Sequence, residues 1–293
     1  MAKTFKRYIP LIVWLLVLSA MIASVAFTSV KQQDVVCNKI EVNMIDNGHY
    51  FIEQSDVLNL IMEKAKQPVG KPLNVINTAV LENCINANPF VADAQIYLTV
   101  DGIMHVKVLQ RKPIVRFMMT DGESFYVDEN GITMPLCEKY TAPVVIANGN
   151  LNGNISKIKF NEIVFTAGDT ANKKRVAEQV YAIAKFIQND TVLNPLIEQI
   201  YINNENEIEL VPRIGDQIIL LGDAGNLENK FNKLLTFYRK GLNKIGWTAY
   251  SKINLKYDNQ VVVMKKGSES VVNVNNNTAS EHVSDTLSTS TPQ

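Results

Sequence analysis

The sequence predicts an α+β protein with an N-terminal transmembrane helix, a small β-α-α-β-β domain, and a larger, mainly antiparallel β-sheet domain with packed helices. Three patterns support this prediction. A long uncharged stretch lies near the N-terminus. Two helix-like segments then lie between one strand and a hairpin. Short strands recur through the second half of the chain, where two amphipathic segments have helical spacing.

Five regions follow from these patterns, and their boundaries lie where periodicity or composition changes. The last region is rich in Ser, Thr, Asn and Glu, so we expect it to bury too little apolar surface to become ordered. The regions are a cytoplasmic N-terminus at 1–8, a transmembrane helix at 9–30, the small domain at 37–112, the β-domain at 113–266 and a disordered tail at 267–293.

The uncharged stretch Tyr8–Val30 is the predicted membrane anchor, and its central part, Ile9–Phe27, is rich in Leu, Ile and Val. A helix of this length measures about 35 Å, whereas the hydrocarbon core of a bilayer is about 30 Å thick. Lys3, Lys6 and Arg7 precede the stretch, and the positive-inside rule then places the N-terminus in the cytoplasm. No later segment is apolar enough to span, so we expect the remaining chain to lie outside the cytoplasm.

A cleaved secretion signal is the alternative interpretation of this stretch. Ser24-Val25-Ala26 has the small-x-small pattern of a signal peptidase site. The apolar stretch is longer than the usual core of a signal peptide, roughly 7–15 residues, and this length favours a retained anchor.

Charge and cysteine content argue against several classes of function. Lys plus Arg and Asp plus Glu both number 29, so the formal net charge is zero, which argues against nucleic-acid binding. Cys37, Cys84 and Cys137 match no zinc pattern and are too few for a disulfide framework. We interpret them as small buried apolar residues. A Cys37–Cys84 disulfide stays open as an alternative if the first strand and the second helix pack together.

The small domain shows the element order β-α-α-β-β. It begins with an alternating strand at 35–45, and Ser55 is the expected N-cap of the first helix. Two helices that cover one face of a three-stranded sheet form a compact layered fold. The remaining predicted elements are a helix at about Ile76–Ala87, a strand at Ala94–Val100, a turn at Asp101-Gly102 and a return strand at Ile103–Gln110.

The β-domain contains many short strands and two amphipathic helices. One helix is expected to begin at Asp169 or Thr170, and the other to run from an N-cap at Asn226 to Gly246. The predicted strands are Ile114–Met119, Ser124–Val127, Pro143–Ala147, Ile197–Asn203, Glu207–Pro212, Gln217–Leu221, Lys252–Tyr257 and Val261–Lys266.

Catalytic, cofactor and metal motifs are missing from the sequence. The histidines are His49, His105 and His282, and none has a partner at metal-ligand spacing. There is no H-E-x-x-H, no G-x-S-x-G and no P-loop. We therefore predict a protein that is not an enzyme and that binds neither a cofactor nor a metal.

Four short segments carry a resemblance to a known family. Asn88–Ala94 and Val108–Pro113 are similar to the segments that enter the second strand and leave the last strand of a POTRA domain. Tyr126–Gly131 and Ile253–Tyr257 resemble a turn and a strand further along the same family. In this order, behind this anchor, they resemble FtsQ/DivIB, the bacterial cell-division membrane proteins. Gln110 stands where that family usually has Glu, and Asn254 and Lys256 replace Asp and Arg.

The resemblance implies a non-catalytic scaffold that links early and late cell-division proteins. It implies binding of FtsB/FtsL-type partners outside the cytoplasm and a role in controlling septal peptidoglycan synthesis. The implied location is the cell inner (cytoplasmic) membrane at the division site, with a single pass and a periplasmic or extracytoplasmic bulk. The alternatives are a membrane-anchored cell-envelope enzyme and a POTRA component of an outer-membrane transport system.

A partner site is predicted at the last strand of the β-domain. Val261–Met264 are four consecutive apolar residues, which indicates a strand covered on both faces. A final strand is expected at the edge of the sheet, where a partner strand can pair with its backbone; the family's final strands also contact its partners. The alternative is that one of the domain's own helices covers this strand. The predicted contacts are Tyr257, Asn259, Val261, Val263 and Lys265.

The junction between the two domains is predicted to be a rigid joint at Arg111 and Pro113. Pro113 fixes its own φ angle and biases Lys112 toward extended geometry, so the strand continues straight into the next domain. Arg111 is expected to donate hydrogen bonds to carbonyl groups there. An ordinary strand end is the alternative.

Overall fold

The computed structural model describes residues 13–24, 35–45, 48, 50–153, 155–157, 160, 176–242, 246, 248–258 and 260–267, with the backbone of 271–275. The chain forms two compact units. The first unit comprises Met1–Lys112 together with Cys137–Thr141, and the second comprises Pro113–Leu136 and Ala142–Gln293. The division at Lys112/Pro113 coincides with the expected domain boundary, but the chain crosses between the units at two further points.

Within the predicted anchor, residues 13–24 form a helix, α1, with exposed side chains. In the part of the chain that the structure describes, no helix is both long and apolar enough to cross a bilayer. The remaining residues of the predicted span, 9–12 and 25–30, lie outside the described residues.

The first unit has the predicted β-α-α-β-β order, built on a three-stranded sheet in the order β1-β3-β2. Strand β1 is parallel to β3, and β2 is antiparallel to β3. One core joins the sheet to both helices, with Val57, Ile61, Leu81 and Ile85 contributed by the helices. The elements are β1 (Lys39–Ile45), α2 (Gln54–Ala65), α3 (Thr78–Asn86), β2 (Val91–Leu98) and β3 (Ile103–Gln110).

Local side-chain chemistry sets the ends of these elements. Helix α2 has its N-cap at Glu53, which forms a capping box with Asp56, so the expected cap at Ser55 is wrong. Since Ser55 lies within the first turn, its hydroxyl donates to Glu53 instead. Asn77 caps α3 by accepting from the backbone N–H of Val80. Gly102 closes the β2–β3 turn with a φ of +84°, which a larger residue adopts at a cost.

The segment Cys137–Thr141 joins the first unit although the sequence placed it in the β-domain. The ring of Tyr140 makes an edge contact with Phe51, 4.9 Å between centroids, and Lys139 Nζ lies 3.0 Å from each carboxylate oxygen of Asp56. Cys137 Sγ donates to the carbonyl oxygen of Phe51 at 3.6 Å. These contacts are between residues far apart in sequence, so no local pattern predicted them.

The second unit contains a sheet whose ten described strands run in the order β13-β12-β11-β10-β9-β8-β7-β4-β5-β6. Among these strands, β4–β7, β7–β8 and β10–β11 are parallel pairs, and the other pairs are antiparallel, so the prediction of a mainly antiparallel sheet is confirmed. The strands are β4 (Pro113–Met118), β5 (Ser124–Asp128), β6 (Thr133–Met134), β7 (Val145–Gly149), β8 (Ile197–Ile202), β9 (Ile208–Pro212), β10 (Ile218–Gly222), β11 (Tyr250–Asn254), β12 (Gln260–Lys265) and β13 (Val271–Asn275).

Among the described residues, three α-helices accompany this sheet: α4 (Val176–Gln188), α5 (Leu193–Leu196) and α6 (Leu227–Phe237). Phe186 of α4 stacks on Phe231 of α6 at 5.1 Å, so these two helices lie on the same side of the sheet. The expected start of α4 at Asp169 or Thr170 lies outside the described residues. Asn226 is the N-cap residue of α6, but it has a left-handed φ of +49° and its side chain makes no capping bond.

Two expectations about the C-terminus are wrong. Residues 271–275 form β13, although the whole region 267–293 was expected to be disordered. The stretch contains three valines, and its backbone pairs with β12. Pairing in the sheet therefore orders a segment that lies within a polar part of the sequence. As a result, β12 is an inner strand rather than the expected sheet edge. Residues 276–293 lie outside the described residues.

Candidate partner-binding site

The predicted partner strand, β12, lies between β11 and β13, and it is antiparallel to both. Its side chains alternate across the sheet. Val261 and Val263 are buried in the core of the second unit, which also contains Phe231 and Leu234 of α6. Val262 and Met264 are only half-buried. The apolar run Val261–Met264 therefore has one fully covered face. Helix α6 contacts the strand, which agrees with the alternative that one of the domain's own helices covers it.

Two of the predicted contacts are limited to their backbone. The side chains of Val261 and Val263 are at most 1% exposed, so they support the strand from beneath and are not available to a partner. Sequence alone could not assign the faces, because an apolar residue stands at every position from 261 to 264.

The other predicted contacts lie toward the surface. Tyr257 is 48% exposed in the β11–β12 turn, and Lys265 is exposed at the end of β12. Asn259 lies outside the described residues. Tyr257 therefore lies before β12 and Lys265 ends it. Lys265 stands opposite Tyr250 of β11, on the same side of the strand as Val261 and Val263.

A buried lysine holds the turn that carries Tyr257. Lys233 of α6 is 4% exposed, and its ammonium group donates to the carbonyl oxygens of Leu255 at 3.1 Å and Tyr257 at 2.6 Å. Burial lowers the pKa of Lys233, because removal from water disfavours the charged form. The cation is nevertheless satisfied by two carbonyl acceptors, so it fixes the backbone just before β12.

The neighbouring loops are fixed in the same way. Lys256 Nζ lies 2.5 Å from Glu207 Oε1, and this hydrogen bond raises the pKa of Lys256. Lys230 Nζ donates to the carboxylate of Asp223 at 2.6 Å, close to the start of α6. At the far end of β12, Lys266 Nζ pairs with Asp216 at 2.8 Å, while its backbone N–H donates to Ala249. Both ends of β12 are thus attached to the body of the sheet.

Two family models match the chain. A family model described as "FtsQ/DivIB, C-terminal related" matches residues 112–264, and one described as a POTRA-like domain matches residues 35–109. The first match alone covers more than half of the chain.

The chain belongs to the FtsQ/DivIB family.

Members of this family are non-enzymatic cell-division proteins. The two family matches follow each other in the order of the two units, and the FtsQ/DivIB match reaches through most of β12. No curated protein matches the chain.

The FtsQ/DivIB and POTRA-like matches meet at the predicted joint. The backbone N–H of Arg111 donates to Phe90 at 2.9 Å, and Pro113 begins β4, where it pairs with Asp128. Beside them, buried Gln110 accepts from the backbone N–H groups of Phe51 at 2.9 Å and Ile52 at 3.2 Å through one side-chain oxygen. A glutamate, the residue usual in the family, offers the same acceptor, so the departure at Gln110 preserves these contacts.

Sequence reasoning missed Lys233 and Lys230 as structural residues. The only indication was their position: both lie within the stretch of α6 that also contains the core residues Phe231 and Leu234. A lysine at such a position needs an acceptor, but its identity depends on chain folding.

His105 and the three cysteines of this FtsQ/DivIB protein lie among the described residues. His105 stacks on Tyr97 with ring centroids 4.9 Å apart, and its Nδ1 lies 3.4 Å from Glu41. His49 and His282 lie outside the described residues. All three cysteines are free, and Cys37 is buried in the core of the first unit. No group of three or more His, Cys, Asp or Glu suited to a metal occurs within the described part of the chain.

Proposed function

We propose that this protein is a membrane-anchored, non-catalytic scaffold of the division machinery that links early and late cell-division proteins. The observation that carries the proposal is the succession of a POTRA-like match and an FtsQ/DivIB-related match along one chain. We further propose that partner binding outside the cytoplasm helps to control septal peptidoglycan synthesis.

The proposed partners are FtsB/FtsL-type division proteins, and the proposed site is β12 together with the exposed residues that flank it. Tyr257 and Lys265 are the exposed contacts, with Asn259 between them in sequence. The contact from Lys233 to Tyr257 and the backbone bond from Lys266 to Ala249 hold the backbone on either side of this strand, which lowers the cost of ordering it on binding.

The anchor is proposed at residues 9–30, with the N-terminus in the cytoplasm and a single pass through the inner membrane. The basic residues before the uncharged stretch support this orientation. A reporter fused after Gln293 should be active only outside the cytoplasm. Recovery of mature protein that begins near Phe27 would show instead that the segment is a cleaved signal.

The division role is tested by depletion of the protein from growing cells of its source. Cells should continue to elongate without forming septa, and a fluorescent fusion should concentrate at the division site. When the tagged protein is isolated from solubilised membranes, FtsB/FtsL-type division proteins should co-purify with it and be identified. Normal septation after full depletion would contradict the proposal.

A further inference from the structure

The last two strands of the sheet form a hairpin in which β13 covers the outer backbone edge of β12. The pairing is antiparallel and regular, without a bulge. Since β13 is the end of the described strand order, its other edge is not paired within that sheet. The paired residues are Gln260 with Asn275, Val261 with Val274, Val262 with Asn273, Val263 with Val272, and Met264 with Val271.

The register aligns the alternating burial of β12 with the sequence of β13, in which Val271 stands opposite half-buried Met264. Val272 and Val274 stand opposite Val263 and Val261, the two core residues of β12, whereas Asn273 stands opposite half-buried Val262. Residues directly opposite each other in a sheet share a face. Strand β13 therefore has valine at the two positions opposite the core residues of β12 and asparagine at the position between them. This is a recognition pattern for an extended segment with β-branched residues at every second position.

Strands β12 and β13 differ in how they are held to the rest of the second unit. Strand β12 pairs with β11 along its inner edge, Lys233 holds the turn before it, and the backbone N–H of Lys266 after it donates to Ala249. The connection from β12 to β13 spans only residues 266–270, with Gly267 at a φ of +77°. Strand β12 therefore keeps its place when β13 leaves, and its outer edge becomes a free row of backbone donors and acceptors.

We propose that β13 is an exchangeable occupant of the β12 edge, and that a partner strand with alternating β-branched residues binds by replacing it. The inference rests on the proposed function, because it names how the partner of that same site is recognised. A short linker gives β13 a local concentration in the millimolar range, so the tethered strand competes with any partner. To displace β13 completely, a partner must therefore make further contacts besides those of its strand.

The first test uses a fluorescein-labelled synthetic peptide with the sequence of residues 268–278 as the probe. Its dissociation constant is measured by anisotropy against the full chain and against a chain that ends after Gly267. The shortened chain should bind at least about tenfold more tightly, because the tethered competitor is gone. A peptide with Val272→Asp and Val274→Asp should lose binding, whereas the matched Asn273→Asp and Asn275→Asp peptide should retain it.

The second test keeps the whole chain and fixes β13 in place, so it does not depend on the folding of the shortened form. Val262→Cys with Asn273→Cys joins residues that stand opposite each other, and antiparallel neighbours lie within disulfide range. The control pair, Asn254→Cys with Val262→Cys, joins β12 to β11 instead. Both are made with Cys84→Ser and Cys137→Ser. Oxidation should abolish peptide binding in the first protein only, and reduction should restore it.

Two results would overturn the inference: equal peptide binding by the full and shortened chains when both are folded, or equal binding by the oxidised and reduced forms of the β12–β13 staple. Equal binding of the two aspartate peptides would show that recognition does not follow the register. The peptide assay needs no cellular partner. Its failure therefore leaves the division role standing, and a failure of the depletion experiment leaves strand exchange standing.

Discussion

The ammonium group of Lys233 lies 2.6 Å from the backbone carbonyl oxygen of Tyr257, although the residues are 24 positions apart. Helix α6 thereby determines where the β11–β12 turn lies and where the exposed ring of Tyr257 is presented. Two opposing effects act on Lys233, since burial disfavours its charge while the carbonyl groups of Leu255 and Tyr257 stabilise it.

Replacement Lys233→Met should loosen this turn with little change in global stability. The substitution removes two hydrogen bonds but also removes the cost of burying a charge, so the net change in unfolding free energy should stay within about 1 kcal/mol. Amide hydrogen exchange at residues 256–258 should become faster. The control is Lys230→Met on the same helix, because Lys230 pairs with Asp223 and not with this turn. Equal exchange in the wild type and in Lys233→Met would contradict the assigned role.

Replacement Tyr257→Ala should weaken partner recovery without unfolding the protein. The ring is 48% exposed, so its removal opens no core cavity, and a truncated aromatic contact at an interface typically costs about 1–2 kcal/mol of binding. That cost corresponds to roughly a five- to thirtyfold loss of affinity. Tyr201, which is 37% exposed on β8, supplies the control variant Tyr201→Ala. A similar loss in both variants would show that the site is not at Tyr257.

Replacement Gln110→Leu should destabilise the first unit by about 1–3 kcal/mol. The buried N–H groups of Phe51 and Ile52 would lose the acceptor that they share, and unsatisfied buried donors carry costs of this size. Gln110→Glu keeps an acceptor oxygen and restores the residue usual in the family, so it should change stability less. Urea unfolding followed by amide exchange at residues 51 and 52 distinguishes the two variants. Equal destabilisation by Leu and Glu would count against the shared-acceptor explanation.

The contact between Asp56 and Lys139 should weaken in acid. The hydrogen bond from the backbone of Glu53 is the largest cause that lowers the pKa of Asp56, and Lys139 adds to it. A carboxyl group with a lowered folded pKa contributes stability above its unfolded pKa of about 3.9, and that contribution is lost as the pH falls through the folded pKa. The urea midpoints of the wild type and Asp56→Asn should therefore differ at pH 7 and converge in acid. A difference independent of pH would exclude ionisation as its cause.

The rigid joint at Arg111 and Pro113 stays a prediction. Pro113→Gly removes the fixed φ angle and should broaden the distribution of interdomain distances measured by solution scattering. An unchanged scattering profile in Pro113→Gly would refute the joint.

Local patterns in the sequence determined much of this protein. The alternation of Ile40, Val42 and Met44 indicated a strand with one face toward the core, and the turn at Asp101-Gly102 closes the hairpin as predicted. Helical spacing identified α4 and α6, and the order of motifs identified the family. The strand, the turn and the helices depend on residues within a few positions of each other, so periodicity and turn chemistry are sufficient to predict them.

Only the tertiary structure decided which edges, faces and long-range partners the elements use. Val261 and Val263 are buried while Val262 and Met264 are half-buried, yet all four look alike in sequence. Strand β13 formed within a polar tail because β12 supplied its pairing partner, and Lys233 found its acceptors 22 and 24 residues away. Backbone pairing and the satisfaction of a buried charge depend on groups that only folding brings together, so the edge at β12 could not be assigned from the sequence.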